Sequence, residues 1–167
     1  MVRVIPVFVC LFLMGVFVTV IPFSYSEGAE TEVMSRVLGS MPLFEGLSEK
    51  EIQDIEKIAE LKEYPANTTL IRKGQRLDRL YLIISGRGEV RLKDRSIPFG
   101  RDFLLGEVEF VDPLPAVAEV FMVTGCKLVE IQYAALDRLL RSRPEMGLIV
   151  MRNLARALSR KIQERNQ

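Results

Sequence analysis

Between Gly106 and Glu119 the chain carries four carboxylates, Glu107, Glu109, Asp112 and Glu119, and no lysine or arginine. Oxygen donors of this kind suit a hard divalent cation or an amine, with Glu107, Glu109 and Asp112 as the candidate ligands. Their spacing matches no calcium-loop pattern, and a solvated acidic loop is the plainer reading. Nucleophilic catalysis has little to draw on. The 167 residues include no histidine, which removes Ser-His-Asp and Cys-His machinery and the commonest zinc ligand sets. Cys126 follows Gly125, has no evident activating base, and reads as a small buried apolar side chain. No Gly-rich Lys-Ser/Thr phosphate loop occurs. Cys10 is the only other cysteine, so neither a disulfide framework nor a Cys-rich metal site is available. The residue inventory predicts a protein that is not an enzyme and holds no metal or other cofactor.

Charge sets a second limit. With 23 Lys+Arg against 22 Asp+Glu, the chain lacks the basic balance of a nucleic-acid binder, and no nucleic acid is expected as partner. Residues 1–26 read as a separate object. Val4 to Phe23 is apolar apart from Pro6, Gly15, Thr19 and Pro22, with Arg3 before it and Glu27, Glu30 and Glu32 after it. A basic start, an apolar middle and the small residues Ser24-Tyr25-Ser26 read as an export signal. The run also reaches the ~20 residues needed to cross a bilayer, so an uncleaved membrane anchor through residues 4–23 is the alternative. Either way the charge flanks predict a periplasmic or extracytoplasmic location for the rest.

The elements beyond the leader follow from periodicity. Glu27 to Thr31 reads as a polar spacer within a linker over residues 27–37. Leu47-Ser48-Glu49-Lys50-Glu51-Ile52 opens a helix. Ser48 caps, Glu51 completes a capping box and Leu47 staples to Ile52. Ile52, Ile55, Ile58 and Ala59 give that helix its apolar face, and Pro65 is expected to end it. The period then shortens to strands over Thr68–Arg72, Arg79–Ile84, Glu89–Lys93, Val117–Val123 and Lys127–Ile131, separated by glycine turns. Such a series predicts a small antiparallel barrel or roll. From Tyr133 the helical period returns, with Leu136, Leu139 and Leu140 in a short helix and Pro144 opening the last one. That last helix places Leu148, Met151, Leu154, Ala155, Leu158 and Ile162 on one side. The spacing of Met151, Ala155, Leu158 and Ile162 is that of a two-helix seam, which predicts a homodimer.

Several of these stretches together resemble the cyclic-nucleotide-binding domain of catabolite-activator-type regulators, cAMP-dependent kinase regulatory subunits and cyclic-nucleotide-gated channels. The residues that carry the resemblance are Pro42-Leu43-Phe44-Glu45-Gly46-Leu47-Ser48, Leu70-Ile71-Arg72-Lys73-Gly74, Asp78-Arg79-Leu80-Tyr81-Leu82-Ile83-Ile84-Ser85-Gly86 and Leu105-Gly106-Glu107. It implies a mainly β fold with flanking helices over residues 38–167: an antiparallel, jelly-roll-like β-roll with an N-terminal helix and two C-terminal helices. It also implies a phosphate-binding cassette, with Gly106, Glu107, Val108, Ala116 and Val117 as the ligand-contacting positions. In the family a short helix after the Gly-Glu pair offers amides to the cyclic phosphate, the glutamate accepts from the ribose, and an arginine pairs with the phosphate. Glu107 fills the ribose position. Ala116 stands where the arginine belongs, and Gly100 lies six residues before Gly106 instead of the usual four. The cassette is therefore read as degenerate, and cAMP or cGMP as weak ligands.

Overall fold

The computed structural model describes residues 27–165, with side chains from 34 to 163. The expected leader lies outside the described residues. Among the described residues, no helix is long and apolar enough to cross a membrane.

Among the described residues, eight strands form two antiparallel sheets. The first orders β1 (Ala59–Tyr64), β8 (Cys126–Gln132), β3 (Arg79–Ser85) and β6 (Leu104–Leu105). The second orders β2 (Thr68–Ile71), β7 (Glu119–Met122), β4 (Gly88–Arg91) and β5 (Ser96–Phe99). Alternation along the strands builds the roll. Tyr81, Ile83, Leu105, Cys126 and Leu128 of one sheet bury against Leu70, Ile71, Phe99, Val120 and Met122 of the other. The opposite face of the first sheet offers Leu80, Leu82, Leu104, Val129 and Ile131 to the helices. Strand β3 is thus covered on both sides, which is why it reads as an unbroken apolar run.

The helices are α1 (Glu27–Ser40), a 3-10 turn (Pro42–Phe44), α2 (Glu49–Glu56), α3 (Glu107–Val111), α4 (Tyr133–Ser142) and α5 (Pro144–Arg165). Leu38, Phe44, Ile55, Leu136, Met146, Val150 and Leu154 bring them onto the second core. The α2 start matches expectation: Glu51 accepts from the Ser48 backbone N–H at 2.8 Å and from its hydroxyl at 2.6 Å. Pro144 opens α5 as the boundary signal indicated.

Three expectations need correction. Residues 27–37, read as a linker, lie inside α1, and Met34 and Val37 pack against the core. The helix expected to run to Pro65 stops at Glu56, and Ala59 to Tyr64 form β1 instead. Its Glu60, Leu61, Lys62 and Glu63 favour helix locally, but pairing with β8 along the sheet edge overrides that preference. Finally, Leu154 does not join the seam residues of α5. It is 1% exposed and faces the core, whereas Leu148, Met151 and Ile162 are among the exposed hydrophobics.

Candidate functional site

The site begins at Gly106, between β6 and α3. Its φ of 81° lies in the left-handed region that favours glycine. A side chain would also collide here, because a Cβ would sit 2.7 Å from the Arg79 carbonyl and 2.8 Å from the Tyr133 hydroxyl. Tyr133 donates to the Gly106 carbonyl at 2.6 Å, which ties the start of α4 to the start of α3. Burial pushes the Tyr133 phenol well above its usual range, so it stays a donor.

Glu107, placed by the resemblance at the ribose, is 4% exposed. It does not face open solvent. Lys161 of α5 reaches across and places Nζ 2.6 Å from Glu107 Oε1. The same ammonium donates to the Leu104 carbonyl at 2.5 Å and lies 4.2 Å from the centroid of the Phe103 ring. A clamp of three contacts therefore joins the distal part of α5 to β6 and α3. Lys161 and Arg160 also line a cavity of about 240 Å³ between α5, the 3-10 turn and Leu104, outside the roll interior.

The remaining cassette residues divide between inside and outside. Ala116 is 5% exposed and belongs to the roll interior. Its N–H donates to Gln75 O at 2.8 Å and its carbonyl accepts from Gly74 N at 2.7 Å, so the loop after α3 is zipped to the loop after β2. Val108 and Val117 are exposed, at 49% and 69%. Burial raises the Glu109 carboxyl above its usual range, with the Glu107 charge adding to the effect. Among the described residues no group of three or more acids, cysteines or histidines is placed to hold a metal ion. Glu107, Glu109 and Asp112 are therefore not gathered into a cation site.

Two arginines of the roll, Arg91 and Arg101, have acidic neighbours of their own. Arg91 sits on the outer face of the second sheet. It lies 2.6 Å from Glu89, 3.0 Å from Glu119 and 3.8 Å from the centroid of the Phe121 ring. Arg101 is exposed beside Asp102. Arg76 comes nearest by connectivity: from the loop after β2 its Nη1 donates to Pro113 O at 3.2 Å.

Sequence reading missed two elements of this region. Lys161 lies 54 residues from its carboxylate partner and carries no local signal. The other is a buried charge at one end of the roll, where Glu130, 3% exposed, accepts from Tyr64 Oη at 2.6 Å and Arg79 Nη1 at 2.7 Å. Arg79 also forks onto Asp78 at 2.8 and 3.1 Å. Burial, followed by the Glu130 charge, pushes the Tyr81 phenol up to about 12.

An antiparallel roll, a Gly-Glu turn into a short helix and two C-terminal helices define the class: this is a cyclic-nucleotide-binding domain. The family model for the cyclic nucleotide-binding domain matches residues 61–143, and the chain belongs to that family. It is 30% identical over 136 residues to the CRP-like cAMP-activated global transcriptional regulator of Mycobacterium tuberculosis strain CDC 1551. That match covers 76% of this chain and 59% of the relative. It is also 30% identical to Glutaminase 2 of Bradyrhizobium diazoefficiens, over 83% of this chain but only 22% of that protein. In fold it matches the crystal structure of a cyclic nucleotide-binding domain from Methylobacillus flagellatus, with a TM-score of 0.71 and 21% identity. That match covers 81% of this chain and 80% of the other.

Proposed function

We propose that this chain is a non-enzymatic regulatory module that keeps the cyclic-nucleotide-binding scaffold but binds cyclic nucleotides weakly. One observation carries the reading: the cassette's only buried acid is already paired with Lys161, beside an alanine where the phosphate-pairing arginine belongs. A charge-assisted partner missing from a pocket costs ~2–5 kcal/mol, or roughly a 30-fold to several-thousand-fold loss of affinity. A ribose would also have to displace an ammonium held at 2.6 Å. Isothermal titration with cAMP and cGMP tests this. Affinity weaker than millimolar is expected, and micromolar binding of either would refute it.

A second reading, a working cAMP or cGMP sensor, draws support from the cAMP-activated relative and from Arg76, the guanidinium bonded to the cassette loop. It requires micromolar binding that Arg76→Gln abolishes.

The stripe of exposed Leu148, Met151, Ala155 and Ile162, with half-buried Leu158 among them, supports homodimerisation through α5. Sedimentation should show a dimer that Met151→Glu converts to monomer. For location, the proposal is export or anchoring through residues 4–23, decided by the mass of the mature N-terminus. A protein recovered in the cytoplasm with residue 1 intact would contradict it.

A further inference from the structure

The loops after β2 and after α3 end the roll at one tip. Backbone bonds between Gly74 and Ala116 and between Ala116 and Gln75 join them into a single surface. Residues 72–76 and 112–117 carry three cations, Arg72, Lys73 and Arg76, against one acid, Asp112. Among the described residues, none of the three cations takes part in an ion pair. Next to them stand two large apolar side chains with no cover: Leu114, 58% exposed, and Val117, 69% exposed.

Exposed aliphatic side chains beside cations that make no ion pair match a surface that is itself anionic outside and apolar beneath. The geometry points to an anionic lipid bilayer as the partner of this tip. Arg72 and Lys73 would meet the headgroups while Leu114 and Val117 enter the headgroup–acyl boundary. Nucleic acid fits less well. Phosphates would satisfy the cations, but neither segment carries an aromatic side chain for base stacking, and Leu114 and Val117 would stay wet. The inference goes beyond the proposed function, and the test variants at Arg72, Lys73 and Leu114 avoid the residues placed in the nucleotide cassette.

The chain has no tryptophan, so one introduced at the tip reports its surroundings alone, whatever residues 4–23 do. Full-length protein carrying Leu114→Trp is mixed with phosphatidylcholine vesicles, with or without phosphatidylglycerol. Val123→Trp, at the opposite end of the β2–β7 pair, serves as the control. The expected result is a blue shift and quenching by brominated acyl chains at position 114 only, and only with the anionic lipid. Arg72→Gln with Lys73→Gln should raise the anionic-lipid concentration needed for half the shift roughly 30-fold, at about one decade or less per cation. The proposal is overturned by a solvent-like emission at 114 in anionic vesicles. Equal shifts at 114 and 123, or equal shifts with and without phosphatidylglycerol, also overturn it. A shift produced by duplex DNA and not by vesicles would assign the tip to nucleic acid instead.

Discussion

Lys161→Met removes the ammonium from the clamp while keeping the length of the side chain. Glu107 is then left as a charged group at 4% exposure, with its ion-pair partner gone. Breaking a buried pair from one side costs ~3–5 kcal/mol, because the remaining charge is desolvated without compensation. Lys161 keeps 27% of its side-chain surface in solvent, so screening brings the expected loss to about 2–3 kcal/mol. At about 2–4 °C per kcal/mol for a chain of this size, the melting temperature should fall by roughly 5–10 °C. Adding Glu107→Gln to the same chain removes the orphaned charge and should return about half of the loss. That recovery separates the ion pair from a mere packing defect beside Phe103. A ligand arm runs in parallel. If Lys161 masks the ribose acceptor, Lys161→Met alone should raise affinity for cAMP by about tenfold, the worth of a hydrogen bond to a charged group. The double variant should not. A melting temperature within about 1 °C of wild type would refute the clamp, and unchanged cAMP affinity in the single variant would refute the masking.

Three further outcomes follow from the same contacts. Gly106→Ala combines a left-handed φ with a Cβ 2.7 Å from a backbone carbonyl, and should cost about 2–4 kcal/mol in urea unfolding; a loss under about 1 kcal/mol would mean that α3 shifts freely. Tyr64→Phe removes one of the two donors to buried Glu130 and should cost about 1–3 kcal/mol, with Arg79→Met costing more because it strands the charge; thermal unfolding of both variants gives the order. The Ser48 hydroxyl, then its backbone N–H, hold the Glu51 carboxyl below its usual range, so this contact stabilises at pH values above the ordinary carboxylate range and is lost as pH falls through the depressed value. Ser48→Ala should therefore cost about 1 kcal/mol at pH 7 and progressively less in acid; a constant deficit from neutral to acid pH would contradict the assignment.

The roll was legible in the sequence wherever a strand is buried on both sides or closed by a glycine turn. Arg79 to Ser85 shows this most clearly, since its apolar run and Gly86 are both local signals. Strand β1 was not legible, because its middle residues are exposed and charged and its pairing partner β8 lies far along the chain. Within the cassette, the turn at Gly106 and the short helix that Glu107 opens could be placed from their neighbours. The state of Glu107 could not. A carboxylate at the start of a short helix looks free in sequence, and only the return of α5 over the roll shows that an ammonium has reached it.

That return gives α5 three tasks on two faces, because Lys161 follows Leu154 by about two turns and lies on the core-facing side. Met146, Val150 and Leu154 hold it to the core, Lys161 pins its distal part to the cassette, and exposed Leu148, Met151, Ala155 and Ile162 form an outer stripe with half-buried Leu158. Ile162 of the stripe is the next residue after Lys161 of the clamp. A ligand that takes Glu107 from Lys161 releases the segment of helix that carries the last residue of the stripe. Binding free energies are reciprocal, so pairing of two copies along the stripe should then change the affinity for any such ligand by the same factor. Under the proposed reading, in which the nucleotide pocket is weak, this coupling would still operate, because it would run through the helix from Glu107 and Lys161.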